Sequence, residues 1–515
     1  MSAKQNQLAR ATILLMTLFV ISRALGLARD VVISYQFGTS RALDAYFAAF
    51  NIPDFLFNLV AGGALGSAFL PVFSAALAAR DSARAWQIAR GVITLILLII
   101  SAIAAALALF APQIVALTVA RGFSPADQAL TADLMRWMLF TPIVFGVSGI
   151  VMSILNAHQH FLLPALAPIV YNVSIIAGAL WLAPTIGVYG LTAGVVAGAL
   201  LHLIIQLPWF VRGAFRTPNY KLWRFDPRSA IRDAQSPDVR RVIALMLPRT
   251  FGIAAVQINF LVNTILASTL PAGRIAALGY AWRMMLLPVG VVGQSVGTAV
   301  FPTLSAQSAR DERDEFRKTF SSALRATFFF AVPASVGLAM LGAPLIAVVF
   351  QRGEFNAQSS ADTALALQFY ALALFAYSGL EIITRAFYAL QDTMTPVVVG
   401  GGAVALNIAL SIALLPSLGH GGLALANSIA TILEVIILFA ILRNRLRDVD
   451  AARIIASFVR ILIASITMGG AIWLASRALA QSDAIIILIA STLVGAIVYF
   501  ALALMTNANR RFDVR

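Results

Sequence analysis

Three charged residues fall within nine positions of one hydrophobic run near the amino terminus, Ser22-Arg23-Ala24-Leu25-Gly26-Leu27-Ala28-Arg29-Asp30. On a helix turning about 100° per residue, Ser22, Arg23, Gly26, Arg29 and Asp30 share a sector roughly 120° wide. Ala24, Leu25, Leu27 and Ala28 fill the rest. One face is cationic and wet, the other greasy, and Gly26 leaves room for a bulky group or a bend between the arginines. The next run carries Asp44, Asn51 and Asn58 at i, i+7 and i+14, a polar stripe with a kink expected at Pro53. Further along, Arg283, Gly290, Gln294 and Gly297 share a face, and Arg249 is followed two heptads later by Asn263. Arginine presents a planar fork that grips phosphate oxygens bidentately and stays charged at any useful pH. Several of them converging between low-dielectric walls suit a multiply charged anion such as a diphosphate. A drug-like cation asks instead for aromatics with a carboxylate. Phe47, Phe50, Phe55 and Phe57 line the second run, but beside arginines they suit a lipid tail or a sugar face equally. A plain Arg23–Asp30 ion pair is the structural alternative, and it leaves Arg29 unexplained.

Catalytic chemistry finds little support. The chain has no cysteine, which excludes disulfide frameworks, thiolate nucleophiles and cysteine zinc sites. Asp30 and Asp44 sit beside arginines, an arrangement for ion pairing rather than acid–base work. His158-x-His160 is a poor metal signal on its own.

Composition says what must position these residues. Of 515 residues, 60% are hydrophobic and 11% charged, against roughly 45–50% and about 25% in a water-soluble domain. Such a chain lives in lipid. A membrane helix needs about 20 mostly apolar residues. Fourteen runs qualify, near 11–34, 42–66, 86–110, 134–156, 164–183, 188–211, 242–268, 275–303, 320–350, 362–390, 396–415, 422–443, 454–476 and 483–506. Stretches such as Gly91–Phe110 are apolar throughout rather than at alternate positions, which excludes a spanning barrel. With both termini cytoplasmic, twenty-four basic residues lie inside, against five outside: Arg41, Arg121, Arg274, Arg352 and Arg477. That bias supports the even count and accounts for most of the net charge of +15 without nucleic acid.

The chain also repeats. Phe69-Leu70-Pro71-Val72-Phe73-Ser74 parallels Val300-Phe301-Pro302-Thr303-Leu304-Ser305, and Arg121-Gly122 parallels Arg352-Gly353, both at an offset of 231. Ala111-Pro112 parallels Ala343-Pro344, and Gln159 to Pro164 parallels Gln391 to Pro396, both at 232. Six predicted helices separate paired positions, so the repeat is parallel. The fold expected is an all-α polytopic membrane protein of 14 transmembrane helices. A six-helix bundle (1–211), a cytoplasmic linker (212–241) and a second six-helix bundle (242–443) precede two extra helices (444–515). Internal repeats flanking a cleft are the usual build of alternating-access transporters. An arginine at the centre of a membrane helix costs about 2.5–3.5 kcal/mol, so such residues face a watery cavity or a partner. Arg136, Arg325, Arg385 and Arg460 are read as snorkelling to an interface.

These residues resemble a known family. Ser22-Arg23…Gly26…Arg29-Asp30, Phe37-Gly38 and Asp44-Ala45-Tyr46-Phe47-Ala48-Ala49-Phe50-Asn51-Ile52-Pro53 resemble the opening of the lipid II flippases of peptidoglycan synthesis. So do Ala68-Phe69-Leu70-Pro71, Gly297-Thr298…Pro302…Leu304-Ser305 and Phe387-Tyr388…Gln391-Asp392…Thr395-Pro396, and the resemblance runs the whole chain. It implies transfer of an undecaprenyl-diphosphate-linked peptidoglycan precursor from the inner to the outer leaflet of the bacterial cytoplasmic membrane. It also implies that Arg23, Arg29, Asp44 and Arg283 are the family's cavity residues, and that the last two helices form a lipid-tail groove. Ser22, Asp30, Asn51 and Arg249 complete the expected binding set. Two departures stand out: Phe57, Asn58 and Gly62 replace a family arginine pair and acid, and Leu286 replaces a second acid. An Arg–Glu set is lost together, which thins the phosphate clamp and keeps the charge balance. A sodium site in the second half, found in some members, has only Asn263, Asn407, Asn427 and Thr431 as candidates. No resident cofactor is expected, with coupling to membrane potential or Na⁺, a polyprenyl-diphosphate glycolipid and membrane lipids as partners, and a monomer. The alternatives are a flippase for another polyprenyl-diphosphate oligosaccharide and an ion-coupled multidrug exporter. The latter needs a membrane carboxylate, for which Glu381 and Glu434 are available away from the first helix.

Overall fold

In lipid every backbone amide and carbonyl must find its partner within its own segment, so long apolar runs become helices. The computed structural model describes residues 3–60, 64–209 and 232–505. It is 88% helical, with no strand among the described residues. In chain order the helices are α1 (Ala3–Phe37), α2 (Arg41–Val60), α3 (Ala64–Ala78), α4 (Ser82–Leu109), α5 (Ala111–Leu117), α6 (Pro125–Met138) and α7 (Phe140–Ala157). There follow α8 (Leu162–Ala177), a π turn (Gly178–Leu182), α9 (Ala183–Ile186), α10 (Val188–Ile204), α11 (Pro237–Ser268) and α12 (Arg274–Val289). A second π turn (Gly290–Gln294) leads into α13 (Ser295–Ala309), then α14 (Arg313–Phe350), α15 (Ala357–Ala371), α16 (Leu374–Ala389), α17 (Met394–Leu418), α18 (His420–Arg445), α19 (Ala451–Ala478) and α20 (Ala484–Met505).

Among the described residues nine helices are long and apolar enough to cross a bilayer, and ten when α15 and α16, bent by 44°, count as one span. Of the run expected at 42–66, the described residues on either side of 61–63 are helical, in α2 (Arg41–Val60) and α3 (Ala64–Ala78). Pro53 does not break α2.

The first compact unit is Met1–Thr269 and the second Leu270–Arg515. In the first, α1 lies on α8, α2 on α6, α4 on α7, and α10 on α7 and α8. Glycines set the approach of α10 to the start of α9 and to α8. A Cβ on Gly190 would stand 2.4 Å from the Ala183 amide nitrogen, and one on Gly194 2.9 Å from the Ser174 carbonyl oxygen. Small residues allow this closeness, and Ser174 Oγ uses it to donate to the Gly194 carbonyl at 2.9 Å.

Of the stretch 212–241 expected as a linker only 232–241 is described, and side chains tie it and α11 to the first unit. Arg84 donates to both oxygens of Asp238 at 2.7 and 2.8 Å. Arg90 donates through Nε to Asp233 at 2.7 Å. At the other end of α11 the Gly122 amide donates to Ser268 Oγ at 3.3 Å. Both ends of α11 are thereby tied to the first unit.

In the second unit α14 packs against α15, α16, α19 and α20. Phe316, Phe320, Phe328 and Phe329 of α14 form its core with Phe387, Leu438, Leu442, Ile461 and Tyr499. Helix bounds also recur between the units. α3 and α13 end 231 residues apart, at Ala78 and Ala309, and Leu162–Ile186 and Met394–Leu418 are displaced by 232 at both ends.

Candidate substrate-binding residues

α1 carries the arginine pair, and the two members are held differently. Arg23 is exposed, its guanidinium stacked 5.1 Å over the Phe19 ring of its own helix. Ser22 is half-buried. A Cβ at Gly26 would meet nothing within 4 Å, so the space beside the arginines is open. Arg29 turns to α8: Nη1 donates to Asn172 Oδ1 at 3.1 Å, while Nε and Nη2 reach Asp30 Oδ1 at 3.2 and 3.0 Å. Asp30 is 5% exposed. Its carboxylate is thus committed to Arg29, its neighbour, in place of the Arg23 partner one heptad away.

On α2 the polar stripe turns inward. Asp44 has no accessible surface and lies 3.7 Å from Arg41, which in turn stacks 4.5 Å over Phe123. Arg41, read from sequence as an outside loop residue, opens α2 as Asp44's ion-pair partner. Asn51 Nδ2 bonds back to the Phe47 carbonyl at 2.8 Å, and Asn58 Nδ2 to the carbonyl and carboxylate of Asp54 at 2.9 and 3.0 Å. Asp54 also accepts from Gln257 of α11 at 3.4 Å. The Arg249 side chain lies outside the described residues.

In the second unit Arg283 is half-buried on α12, its Nη1 lying 3.6 Å from where a Gly279 Cβ would stand. The adjacent Trp282 ring meets Tyr370 and Tyr377 edge-on, at 5.3 and 5.4 Å. Arg385 is not a snorkelling residue: it is half-buried, paired with Glu381 one turn back, over Gly297. That pair, at i and i+4 inside an apolar run, was readable in the sequence; Asn172 was not. Arg136 is exposed and bound to Asp133 at 3.0 Å, Arg460 is exposed, and Arg325 is half-buried. Of the sodium candidates, Asn263 is half-buried on α11, and Asn407 accepts from Ser411 at 3.2 Å. Asn427 accepts from the Tyr377 hydroxyl at 2.5 Å and its carbonyl accepts from Thr431 at 3.0 Å. Among the described residues no three His, Asp or Glu side chains gather as a metal site.

The long apolar helices are those of a multi-pass membrane protein, and Arg283 and Arg385 lie on them. Its fold is shared with a multidrug-resistance MATE transporter of the MOP superfamily in an inward-facing conformation, at a TM-score of 0.70 and 16% identity over 85% of this chain and 99% of that one. The narrower kinship is with the family described as lipid II flippase MurJ, whose model matches residues 33–494. The chain is 31% identical over 479 residues to the lipid II flippase MurJ of Burkholderia cenocepacia, covering 90% of this chain and 89% of that protein. It is 30% identical to a probable lipid II flippase MurJ of Haemophilus influenzae, covering 88% and 90%. A solved structure of lipid II flippase MurJ in an inward closed conformation superposes at a TM-score of 0.79, with 28% identity over 97% of this chain and 100% of that one. The chain belongs to the MurJ lipid II flippase family.

Proposed function

We propose that this protein flips lipid II from the inner to the outer leaflet by alternating access, its arginines gripping the diphosphate. The observation that carries the reading is Arg29. On a membrane helix of a chain matched by the family from residue 33 to 494, its guanidinium is held between one carboxylate and one neutral amide. Asp30 offsets the charge in the resting protein, Asn172 fixes the fork, and a diphosphate offers four or more acceptors where Asp30 offers two. Arg23, stacked but exposed beside the open space at Gly26, meets the headgroup first, with Ser22 beside it. Arg283 is the second unit's contact. Asp44 serves by keeping Arg41 and the start of α2 in place.

The polyprenyl tail is assigned to a groove of the second unit. A cavity of about 370 Å³ lies among α14, α19 and α20, lined by Phe329, Phe330, Leu341, Met468, Ile472 and Leu488. The full architecture proposed is fourteen spans with both termini cytoplasmic, two six-helix repeats and two added helices. The recurring helix bounds and the placement of basic residues support it. The membrane potential drives return of the empty carrier, with Asn427 and Thr431 as the place to seek a Na⁺ contribution.

Complementation tests the reading. In cells depleted of their own lipid II flippase, the wild-type chain restores growth, Arg29→Ala and Arg283→Ala do not, and Arg460→Ala does. Growth with both arginine variants at normal membrane levels refutes the clamp.

A further inference from the structure

The accessible face of α16 carries what a helix does not show to lipid. Tyr377, Glu381, Thr384, Arg385 and Tyr388 are all partly or fully accessible, while Ala376, Ile382, Ile383, Ala386 and Phe387 are buried. At about 100° per residue those five fall in a single sector roughly 100° wide. Polar and charged residues so placed in a membrane segment face water or a partner. The stripe begins at Tyr377, whose ring meets Trp282, the neighbour of Arg283. Arg385 lies eight residues further along, about 12 Å at 1.5 Å per residue.

The repeat supplies an internal control. In the first unit a Cβ on Gly66 would lie 3.2 Å from Ser153 Oγ; in the second, one on Gly297 would lie 2.7 Å from Arg385 Nη1. Gly66 and Gly297 differ by 231, and Ser153 and Arg385 by 232. Glu381 stands 232 after Gly149, where a Cβ would meet nothing within 4 Å. The same helix crossing therefore closes with a serine and a glycine. Packing alone does not ask for an arginine and a glutamate there, and an ion pair at membrane depth recovers little beyond its desolvation cost.

We propose that Arg385 is a second headgroup station in the second unit, masked by Glu381 until a diphosphate displaces that carboxylate. This rests on the reading of the protein as a lipid II flippase. Arg385 stands over Gly297, fourteen residues beyond Arg283 in the same span and about 21 Å along it at 1.5 Å per residue, more than one diphosphate bridges, so the two arginines hold the headgroup in succession. The exchange is one of ion-pair partners: the guanidinium leaves one carboxylate for bidentate phosphate oxygens, and Glu381 turns to water.

The test is equilibrium binding of lipid II to the purified full-length protein in detergent, with thermal midpoints recorded for every variant. Arg385→Ala weakens binding about tenfold or more, Arg385→Lys less, because the fork is lost but not the charge. Glu381→Gln tightens binding several-fold, since it removes the competitor. The double variant Glu381→Gln/Arg385→Ala, free of any uncompensated charge, binds like Arg385→Ala alone. A merely structural pair predicts the opposite sign for Glu381→Gln, so weakening by both single variants overturns the proposal, as does unchanged affinity in the double variant. Wild-type protein that binds no lipid II overturns the proposed function and this station with it; wild-type binding with indifferent Arg385 variants overturns the station alone.

Discussion

The two ion pairs that tie α11 and the segment just before it to α4 differ in burial, and burial outweighs geometry. Arg84 and Asp238 form the better-aligned, bidentate pair, but their side chains are 55% and 20% exposed. Water and salt screen such a pair and leave it little to contribute. Arg90 and Asp233 meet at 2.5 Å with side chains only 22% and 5% exposed. Deleting Arg90 leaves the Asp233 carboxylate with its charge uncompensated in a site nearly closed to water, a cost of about 3–5 kcal/mol. Nor can the segment back away cheaply, because Gly91 packs on it so closely that a Cβ there would lie 2.6 Å from the Asp233 carbonyl oxygen. The assay is thermal unfolding of purified protein in one detergent at one heating rate. Arg90→Ala lowers the midpoint several times more than Arg84→Ala. The double variant Arg90→Ala/Asp233→Ala recovers most of that loss, since no stranded charge remains. Equal effects of the two single arginine variants, or a double variant as unstable as the sum of its parts, refute the burial argument.

Two further outcomes follow from the same reasoning. Gly190→Ala drives a methyl group into the backbone of Leu182 and Ala183 at 2.4–2.8 Å, where no side chain can yield; folded yield in membranes falls sharply, whereas Gly149→Ala, with open space around it, matches wild type. Asp448, in the turn between α18 and α19, accepts backbone hydrogen bonds from Ala451 and Val449 at 3.1 and 2.8 Å, with Arg443 nearby, and these hold its carboxyl below the usual carboxylate range. Its contribution is therefore complete above the unfolded value of about 3.9 and disappears as pH falls through the lower folded one. Asp448→Asn is less stable than wild type near neutral pH, equal to it in strong acid, and shows a shallower acid limb in the midpoint-versus-pH curve.

Membership of the membrane class, the positions of most spans and the internal repeat were legible in the chain itself. Hydrocarbon imposes one local demand, a continuous apolar run that satisfies its own backbone, and local demands are written in local sequence. The arginines of α1 were equally legible, because a guanidinium at membrane depth is too costly to be incidental. What each arginine holds was decided only by folding. Asn172 lies 143 residues from Arg29 and becomes its partner because α1 packs on α8. Asp44 is fully buried and pairs with Arg41, a residue whose position at the head of α2 hydropathy could not assign. α11 and the segment just before it are tied to the first unit by arginines more than 140 positions earlier. Pairings of this kind depend on which helix faces come within a few ångströms of each other. That is a property of the packed molecule, and no spacing along a single helix encodes it.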